Sequence, residues 1–325
     1  MQPLKLSAMA LAALLLLGAP LYLPEFWTLN ILARAFALGI VALSLTFLSS
    51  FCGMVSLCQM TIAGVAGYGI ALFSANATGM GIALPWQLAA PLSLAAAVLV
   101  AALIGWISQR SYEVYLLMFT LAVGVATLFF VQQNMEIFNG SDGISGIVIP
   151  AFLRADASGN RAWTHVQSIY WLILGCATLL MAVVLHLEKT PLGLTLKSIR
   201  DNPRRLKALG YNVARYKVVA FTISGFIAGV GGILLAWYNA QISPGSIDVN
   251  ANVAILVIAV LGGQKRPLGA FVGAVVYVLL EVFASEVFSR ERFNLLVGAT
   301  FLLVLYFSPN GILGLIPDFN HKRRL

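Results

Sequence analysis

Long apolar runs separated by short polar stretches make up most of this sequence. A bilayer core is about 30 Å thick, so a helix needs roughly 20 apolar residues to cross it. Lipid offers the backbone no hydrogen-bond partners, and the runs are too long and too uniform for barrel strands, so they must be helices. The sequence therefore predicts an all-α, polytopic membrane protein with about ten membrane helices, within a range of eight to ten. The candidate spans are 6–24, 28–50, 53–74, 86–108, 114–134, 168–187, 216–238, 252–264, 267–287 and 293–312.

Composition argues against the other protein classes. Of the 325 residues, 60% are hydrophobic and only 10% are charged, whereas soluble domains carry about 25% charged residues. The net charge of +8 does not indicate nucleic-acid binding, because the aromatic residues lie in the apolar runs and not among the basic residues. We therefore treat residues 1–325 as a single transmembrane domain that binds lipid and no nucleic acid.

The first apolar run could be mistaken for a secretory signal, because a single Lys5 precedes a short hydrophobic region. No small-x-small cleavage site follows it, and Pro20 and Pro24 flank its exit. We interpret it as a retained span.

The polar loops predict the orientation of the chain, because basic residues favour the cytoplasmic side. The stretch 188–217 contains eight basic residues and two acids, so it is expected to be cytoplasmic. Counting spans outward places both termini in the cytoplasm and the loop 135–167 outside. Arg290 and Arg292 then fall outside, which opposes this arrangement.

The sequence lacks the common chemical motifs. It has neither a GxxxxGK[ST] phosphate loop nor an HExxH motif. Cys52, Cys58 and Cys176 lie inside apolar runs without metal-binding or redox spacing, so we interpret them as small core residues. We expect no enzymatic activity and no cofactor bound by this chain.

Two of the predicted spans differ from an ordinary membrane helix. Span 53–74 is rich in glycine and span 252–264 is short, so each could line a transport route, or glycine could simply allow close helix packing.

Arg34 and Glu281 lie within spans, where charged residues suggest function. We expect Arg34 to extend to the outer interface, toward Glu25. Glu281 has no partner apparent in the sequence, which argues against a proton relay, and it could pair with a neighbouring subunit.

The basic loop predicts a short helix. Asn202 suits an N-cap, Pro203 the first helical position, and Gly210 the left-handed residue after the end. A helix from Pro203 to Leu209 would be about 10 Å long and amphipathic. It could dock into a groove of a partner protein, or the loop could merely touch anionic lipid. Its apolar and basic residues are Leu206, Leu209, Arg204, Arg205 and Lys207.

This loop, continued to Phe221, closely resembles the permeases of the branched-chain amino-acid ABC importer family, and in particular their second, longer type. The residues that carry the resemblance are Gly193, Ile199, Arg200, Asp201, Asn202, Ala208, Gly210, Tyr216 and Lys217. Similar motifs occur along roughly 28–315, namely the glycine-rich start of span 53–74, Gly140–Gly146, Ser243–Pro244 and Leu261–Gly263.

The resemblance implies a type II ABC-importer-like permease in which residues 190–215 form a cytoplasmic coupling loop. Its ATPase-coupling residues would be Arg200, Asp201, Asn202, Pro203, Arg204, Arg205, Leu206, Ala208, Leu209 and Gly210. The candidate translocation path comprises Gln59, Gly64, Gly67, Tyr68, Gly262 and Gly263.

The resemblance also implies a multi-pass protein of the bacterial inner membrane. Its partners would be a second homologous permease, two ATP-binding cassette subunits that use ATP and Mg, and an extracytoplasmic solute-binding protein. Cys58 and the turn 264–267 depart from the family pattern. The solute stays open between branched-chain amino acids and urea or short amides, and a stand-alone secondary transporter or channel is the runner-up.

Overall fold

In a computed structural model of the chain, the structure describes residues 18–20, 22–109, 113–150, 165–287, 298, 302 and 311–315. Most of the first and tenth predicted spans lie outside the described residues. So do the expectations for Arg290, Arg292 and much of the outer loop 135–167.

The described chain is mostly helical, as predicted. In chain order, the elements are α1 (Phe26–Cys52), α2 (Gln59–Phe73), α3 (Trp86–Ser108), α4 (Glu113–Gln133), α5 (Met135–Phe138), β1 (Ile144–Ser145), α6 (His165–Lys189), α7 (Pro191–Asp201), α8 (Pro203–Ala208), α9 (Val213–Asn239), β2 (Gln241–Ile242), α10 (Val249–Gly262) and α11 (Gly269–Val287). A 3-10 turn, Pro244–Ile247, joins β2 to α10, and another covers Ile312–Leu315.

Within the described ranges, five helices are long and apolar enough to cross a membrane: α1, α3, α4, α6 and α9. Helices α2, α10 and α11 are apolar but shorter. Each of these eight helices lies on one predicted span, because a continuous apolar run identifies a membrane helix without knowledge of its neighbours. The helix α1 contains π-helical turns at both ends, over Phe26–Ala33 and Leu48–Cys52.

One short strand pair departs from the all-α prediction. β1 and β2 pair antiparallel, with Ile144 opposite Ile242 and Ser145 opposite Gln241. Two residues on each side carry no sequence pattern that could reveal a strand. The ladder ties the Gly140–Gly146 segment to the end of α9, and Ile144 is fully buried.

Helix α9 occupies the centre of the bundle and packs against α1, α2 and α3, while α11 packs against α1 and α10. Glycines allow neighbouring helices to approach each other closely. A Cβ on Gly225 would overlap the side chain of Ala101, and a Cβ on Gly273 would overlap the carbonyl oxygen of Ile258. These glycines therefore let the backbones of neighbouring helices approach closely.

Candidate functional site

A cavity of about 530 Å³ lies among α1, α2, α9, α10 and α11. Its volume is within the range of roughly 300–1,000 Å³ that is usual for small-molecule sites. Its polar or charged lining residues are Arg34, Tyr238, Asn239, Gln241, Ser246, Asn250, Tyr277 and Glu281. The rest is largely apolar, with Leu38, Met60, Ala63, Leu235, Ala236, Ile242, Ala254, Ile255 and Ile258.

An ion pair forms part of the polar lining. Nη2 of Arg34 lies 2.5 Å from Oε1 of Glu281, and the two side chains are 36% and 27% exposed. The expectation that Arg34 extends toward Glu25 is therefore wrong, and Glu281 has a partner within this chain. The two residues are 247 positions apart, so only the packing of α11 against α1 brings them together.

The break between α1 and α2 is built from specific contacts. Helix α1 ends at Gly53, which has a left-handed φ of 66°, and residues 53–58 are not helical. Oδ1 of Asn252 accepts hydrogen bonds from the backbone amides of Met60 at 3.1 Å and Thr61 at 3.3 Å. The first amides of a helix have no partner within it, so this side chain from α10 caps α2.

One further side chain and two further bonds of Asn252 hold the break in place. Oγ1 of Thr120, on α4, accepts a hydrogen bond from the Leu57 amide at 3.0 Å. Nδ2 of Asn252 donates to Oγ1 of Thr61 at 3.0 Å and to the carbonyl oxygen of Asp248 at 3.2 Å. Irregular backbone is tolerated at membrane depth only where protein satisfies it, and here side chains of α4 and α10 do so.

The amide of Gln59 lies in a buried polar cluster beside the break. Its Oε1 accepts hydrogen bonds from Oγ of Ser44 at 2.9 Å and from Oγ of Ser224 at 3.2 Å. Each hydroxyl has one proton, and backbone carbonyl oxygens lie 2.6 Å from Ser44 Oγ and 3.0 Å from Ser224 Oγ. Each hydroxyl therefore shares its proton between a backbone carbonyl oxygen and Oε1 of Gln59, and the buried Gln59 NH2 group has no hydrogen-bond partner among the described residues. The cluster joins α1, α2 and α9.

The structure brings only part of the predicted translocation path to the cavity. Gly64 lines it, and a Cβ at Gly64 would overlap the side chain of Ile247. Gln59, Gly67 and Tyr68 do not line it. A Cβ at Gly67 would lie 2.5 Å from Cδ1 of Ile242, and the ring of Tyr68 packs edge-on against Phe138.

Gly262 and Gly263 are also away from the cavity lining, in the turn between α10 and α11. A Cβ at Gly262 would overlap the backbone of Gly269, so this glycine lets the turn close tightly. The roles of these residues in translocation stay a prediction. The described residues hold no group of three or more His, Cys, Asp and Glu side chains suited to a metal ion.

The helix predicted in the basic loop is present. It spans Pro203–Ala208, and Oδ1 of Asn202 accepts a hydrogen bond from the Arg205 amide at 3.1 Å. Gly210 is left-handed with φ of 87°. The helix ends before Leu209, one residue earlier than expected.

Less of the apolar face of helix α8 is exposed than expected, because Leu206 is only 8% exposed and packs inward. Leu209, just after the helix, is 66% exposed. Helix α7, which was not predicted from the sequence, precedes it. Oγ1 of Thr190 accepts from the Gly193 amide at 3.3 Å, and Pro191 takes the first helical position. Thr190 followed by Pro191 could have predicted this helix, because threonine is a good N-cap and proline suits the first helical position.

Arg200 connects α7 to the break after α1. Its Nη1 donates to the carbonyl oxygen of Ser50 at 2.6 Å. The last carbonyls of a helix lack partners and carry partial negative charge, so a guanidinium group is well suited to them. A Cβ on Gly53 would lie 2.8 Å from Cγ of Arg200. The predicted coupling loop therefore rests directly on the C-terminal end of α1, and Nζ of Lys197 lies 5.4 Å from the ring centroid of Phe51.

Comparison with known proteins identifies the family. The family model described as "branched-chain amino acid transport system / permease component" matches residues 27–305. The probable branched-chain amino acid transport permease protein LivM of Methanocaldococcus jannaschii is 26% identical over 67% of this chain and 67% of its own length. The high-affinity branched-chain amino acid transport system permease protein LivH of Escherichia coli K12 is 23% identical over 85% of this chain and 91% of its own.

The high-affinity branched-chain amino acid transport system permease protein LivM of Salmonella typhimurium is 27% identical over 65% of this chain and 53% of its own length. No solved structure is significantly similar to the chain. The family model covers the described helices from α1 to α11, together with the cavity and the basic loop between them. The chain therefore belongs to the family of permease components of branched-chain amino acid transport systems.

Proposed function

We propose that this chain is a permease subunit of an ATP-driven importer that carries branched-chain amino acids across the bacterial inner membrane. It works with a second homologous permease, two ATP-binding cassette subunits and an extracytoplasmic solute-binding protein. The ATPase subunits bind ATP and Mg, and this chain binds neither. It crosses the membrane about ten times, with both termini and the segment 190–215 in the cytoplasm.

The observation that carries this proposal is the contact between the basic loop and α1. Helices α7 and α8 form a compact cytoplasmic unit whose exposed Leu209 lies among basic residues. Arg200 fastens this unit to the Ser50 carbonyl at the end of α1. A partner that moves the loop must therefore move the inner end of a membrane helix.

Helix α1 also lines the cavity, through residues near its N-terminal end. Helix α9 starts at the loop that we propose to be cytoplasmic, and Tyr238 near its far end lines the cavity, which supports a cavity on the outer side of the membrane. Arg34 in the cavity wall is 16 residues before Ser50, or roughly 24 Å along α1. Closure of the ATPase subunits tilts α1 through Arg200 and changes access to the cavity.

The test is transport by purified components in vesicles. We expect leucine uptake when both permeases, the ATPase subunits, the binding protein and ATP are present, and none when ATP is replaced by a non-hydrolysable analogue. The chain alone, given a proton or sodium gradient, is expected to be inactive. Robust gradient-driven uptake by the chain alone would contradict the proposal and support a secondary transporter.

A further inference from the structure

The Arg34–Glu281 pair stands out because charged side chains are costly at membrane depth and mark functional positions. Arg34 lies eight residues into α1, roughly 12 Å from its start, and Glu281 lies twelve residues into α11. Both side chains line the cavity and stay about one-third exposed. The open space lowers the desolvation cost of the pair, and it also gives a solute access to both charged groups.

The geometry of the pair leaves room for a ligand. The contact joins Nη2 of Arg34 to Oε1 of Glu281. A guanidinium group has five N–H donors and a carboxylate has two oxygens, so each side chain retains hydrogen-bonding capacity that the contact does not use. A carboxylate can bind the guanidinium, and an ammonium can bind the second oxygen of Glu281, without breaking the pair.

The rest of the cavity fits an aliphatic group. Leu38, Met60 and Leu235 line it and are only partly buried, so they present apolar surface to the space. A branched aliphatic side chain placed against them would leave water, which is favourable in proportion to the apolar area buried. The cavity lining therefore contains a pair of opposite charges and apolar side chains, the two kinds of partner that an aliphatic amino acid needs.

We propose that this cavity binds a zwitterionic aliphatic amino acid, with its carboxylate on Arg34, its ammonium on Glu281 and its side chain on the apolar lining residues. This inference rests on the proposed transport function and assigns the solute site. The pair has no net charge, so it favours a zwitterion over an anionic or cationic amino acid, whose extra charge would be unpaired. Urea and short amides lack both the charges and the aliphatic group, and they bind weakly.

The first test measures binding to the purified full chain in detergent, as protection against thermal unfolding at millimolar ligand. The probes are leucine, leucinamide, which lacks the carboxylate, 4-methylpentanoate, which lacks the ammonium, and acetamide. We expect leucine to bind roughly tenfold to a hundredfold more tightly than either leucinamide or 4-methylpentanoate, because each loses one charge-assisted contact. Equal binding of the four probes, or no protection by leucine, would overturn the proposal.

The second test uses variants. Glu281→Gln should weaken leucine binding at least about tenfold, because the ammonium loses its carboxylate, and it should strengthen 4-methylpentanoate binding, because Arg34 keeps a positive charge that no carboxylate neutralises. Glu188→Gln removes the acid of the Lys197–Glu188 pair, which is outside the cavity lining, and serves as the control. Leucine binding by Glu281→Gln equal to that of the control would refute the assignment. The probe series on the unmodified chain decides the matter if the variant does not fold.

Transport by the complete complex separates this inference from the proposed function. The double variant R34M/E281M replaces the pair by apolar side chains, a change that often preserves or increases stability. We expect it to assemble and to lose at least about nine-tenths of ATP-driven leucine uptake. Normal uptake by the double variant would show that the pair only holds α1 to α11. Absence of uptake by the unmodified complex would instead contradict the proposed function, and the binding measurements would still decide the site.

Discussion

Replacing Gly53 by alanine should uncouple the cytoplasmic loop from α1. Gly53 has φ of 66°, where a Cβ costs roughly 1–2 kcal/mol. The new Cβ would also lie 2.8 Å from Cγ of Arg200, whereas carbon atoms normally pack at about 3.5–4.0 Å. Arg200 must therefore move by about 1 Å.

That movement affects the 2.6 Å hydrogen bond from Arg200 to the Ser50 carbonyl. A hydrogen bond to a charged group contributes about 1.5–3 kcal/mol. Strain and loss of this bond together should lower the free energy of unfolding by about 3–5 kcal/mol, an upper estimate because Arg200 is 37% exposed and water screens part of its charge.

Gly79→Ala is the matched control. Gly79 has φ of 71°, and no atom lies within 4 Å of the position that a Cβ would occupy, so this change adds backbone strain without a clash, at a cost of roughly 1–2 kcal/mol. Thermal unfolding measures stability, and the ratio of leucine imported to ATP hydrolysed measures coupling in the complete complex. We expect that ratio to fall severalfold for Gly53→Ala and to stay unchanged for Gly79→Ala.

A double variant tests the cause. Adding Arg200→Ala to Gly53→Ala removes the clashing Cγ atom, so the second substitution should cost less stability than it does alone. Equal stability losses for Gly53→Ala and Gly79→Ala, together with unchanged coupling in both, would refute the reasoning that Arg200 transmits movement to α1.

Three further outcomes are expected. Asn252→Leu leaves the amides of residues 60–61 without their acceptor, so their hydrogen exchange should accelerate and stability should fall by about 2–6 kcal/mol; persistent protection of these amides would show that Asn252 is not the cap. Gly210→Val introduces a β-branched residue at φ of 87°, so uptake per ATP should drop while membrane insertion stays intact; unchanged uptake would mean that this helix is not the docking element. Gly225→Val should destabilise the bundle by several kcal/mol, because the new side chain would overlap with α3. The control is Gly175→Val, at a helical glycine with nothing within 4 Å, which should cost less than about 1 kcal/mol. Similar melting temperatures for the two variants would contradict the close packing of α9 on α3.

Local features of this chain were predictable because their causes are local. Apolar runs identify membrane helices since each helix satisfies its own backbone, and all eight described apolar helices lie on predicted spans. The short helix after Asn202 was predictable because its cap, its proline and its terminal glycine lie within nine residues. The interruption near Gly53 was visible as a glycine-rich, irregular span.

Pairings between distant segments were not predictable from one sequence. Asn252 caps α2 from a helix 191 residues away, and no local pattern marks an asparagine in α10 as a cap. The strand pair β1–β2 is too short to have a periodicity. For Arg34 and Glu281, the sequence indicated function through their depth in the membrane but suggested the wrong partner for one and none for the other.

Local sequence therefore specified the class of protein, the positions of the described apolar helices and the short helix α8, because these depend on solvent transfer and on contacts within a few residues. The tertiary structure decided which charges meet, which amides are capped and where the cavity lies. Those features depend on how α1, α9, α10 and α11 pack, and packing joins residues such as Arg34 and Glu281 across 247 positions of chain.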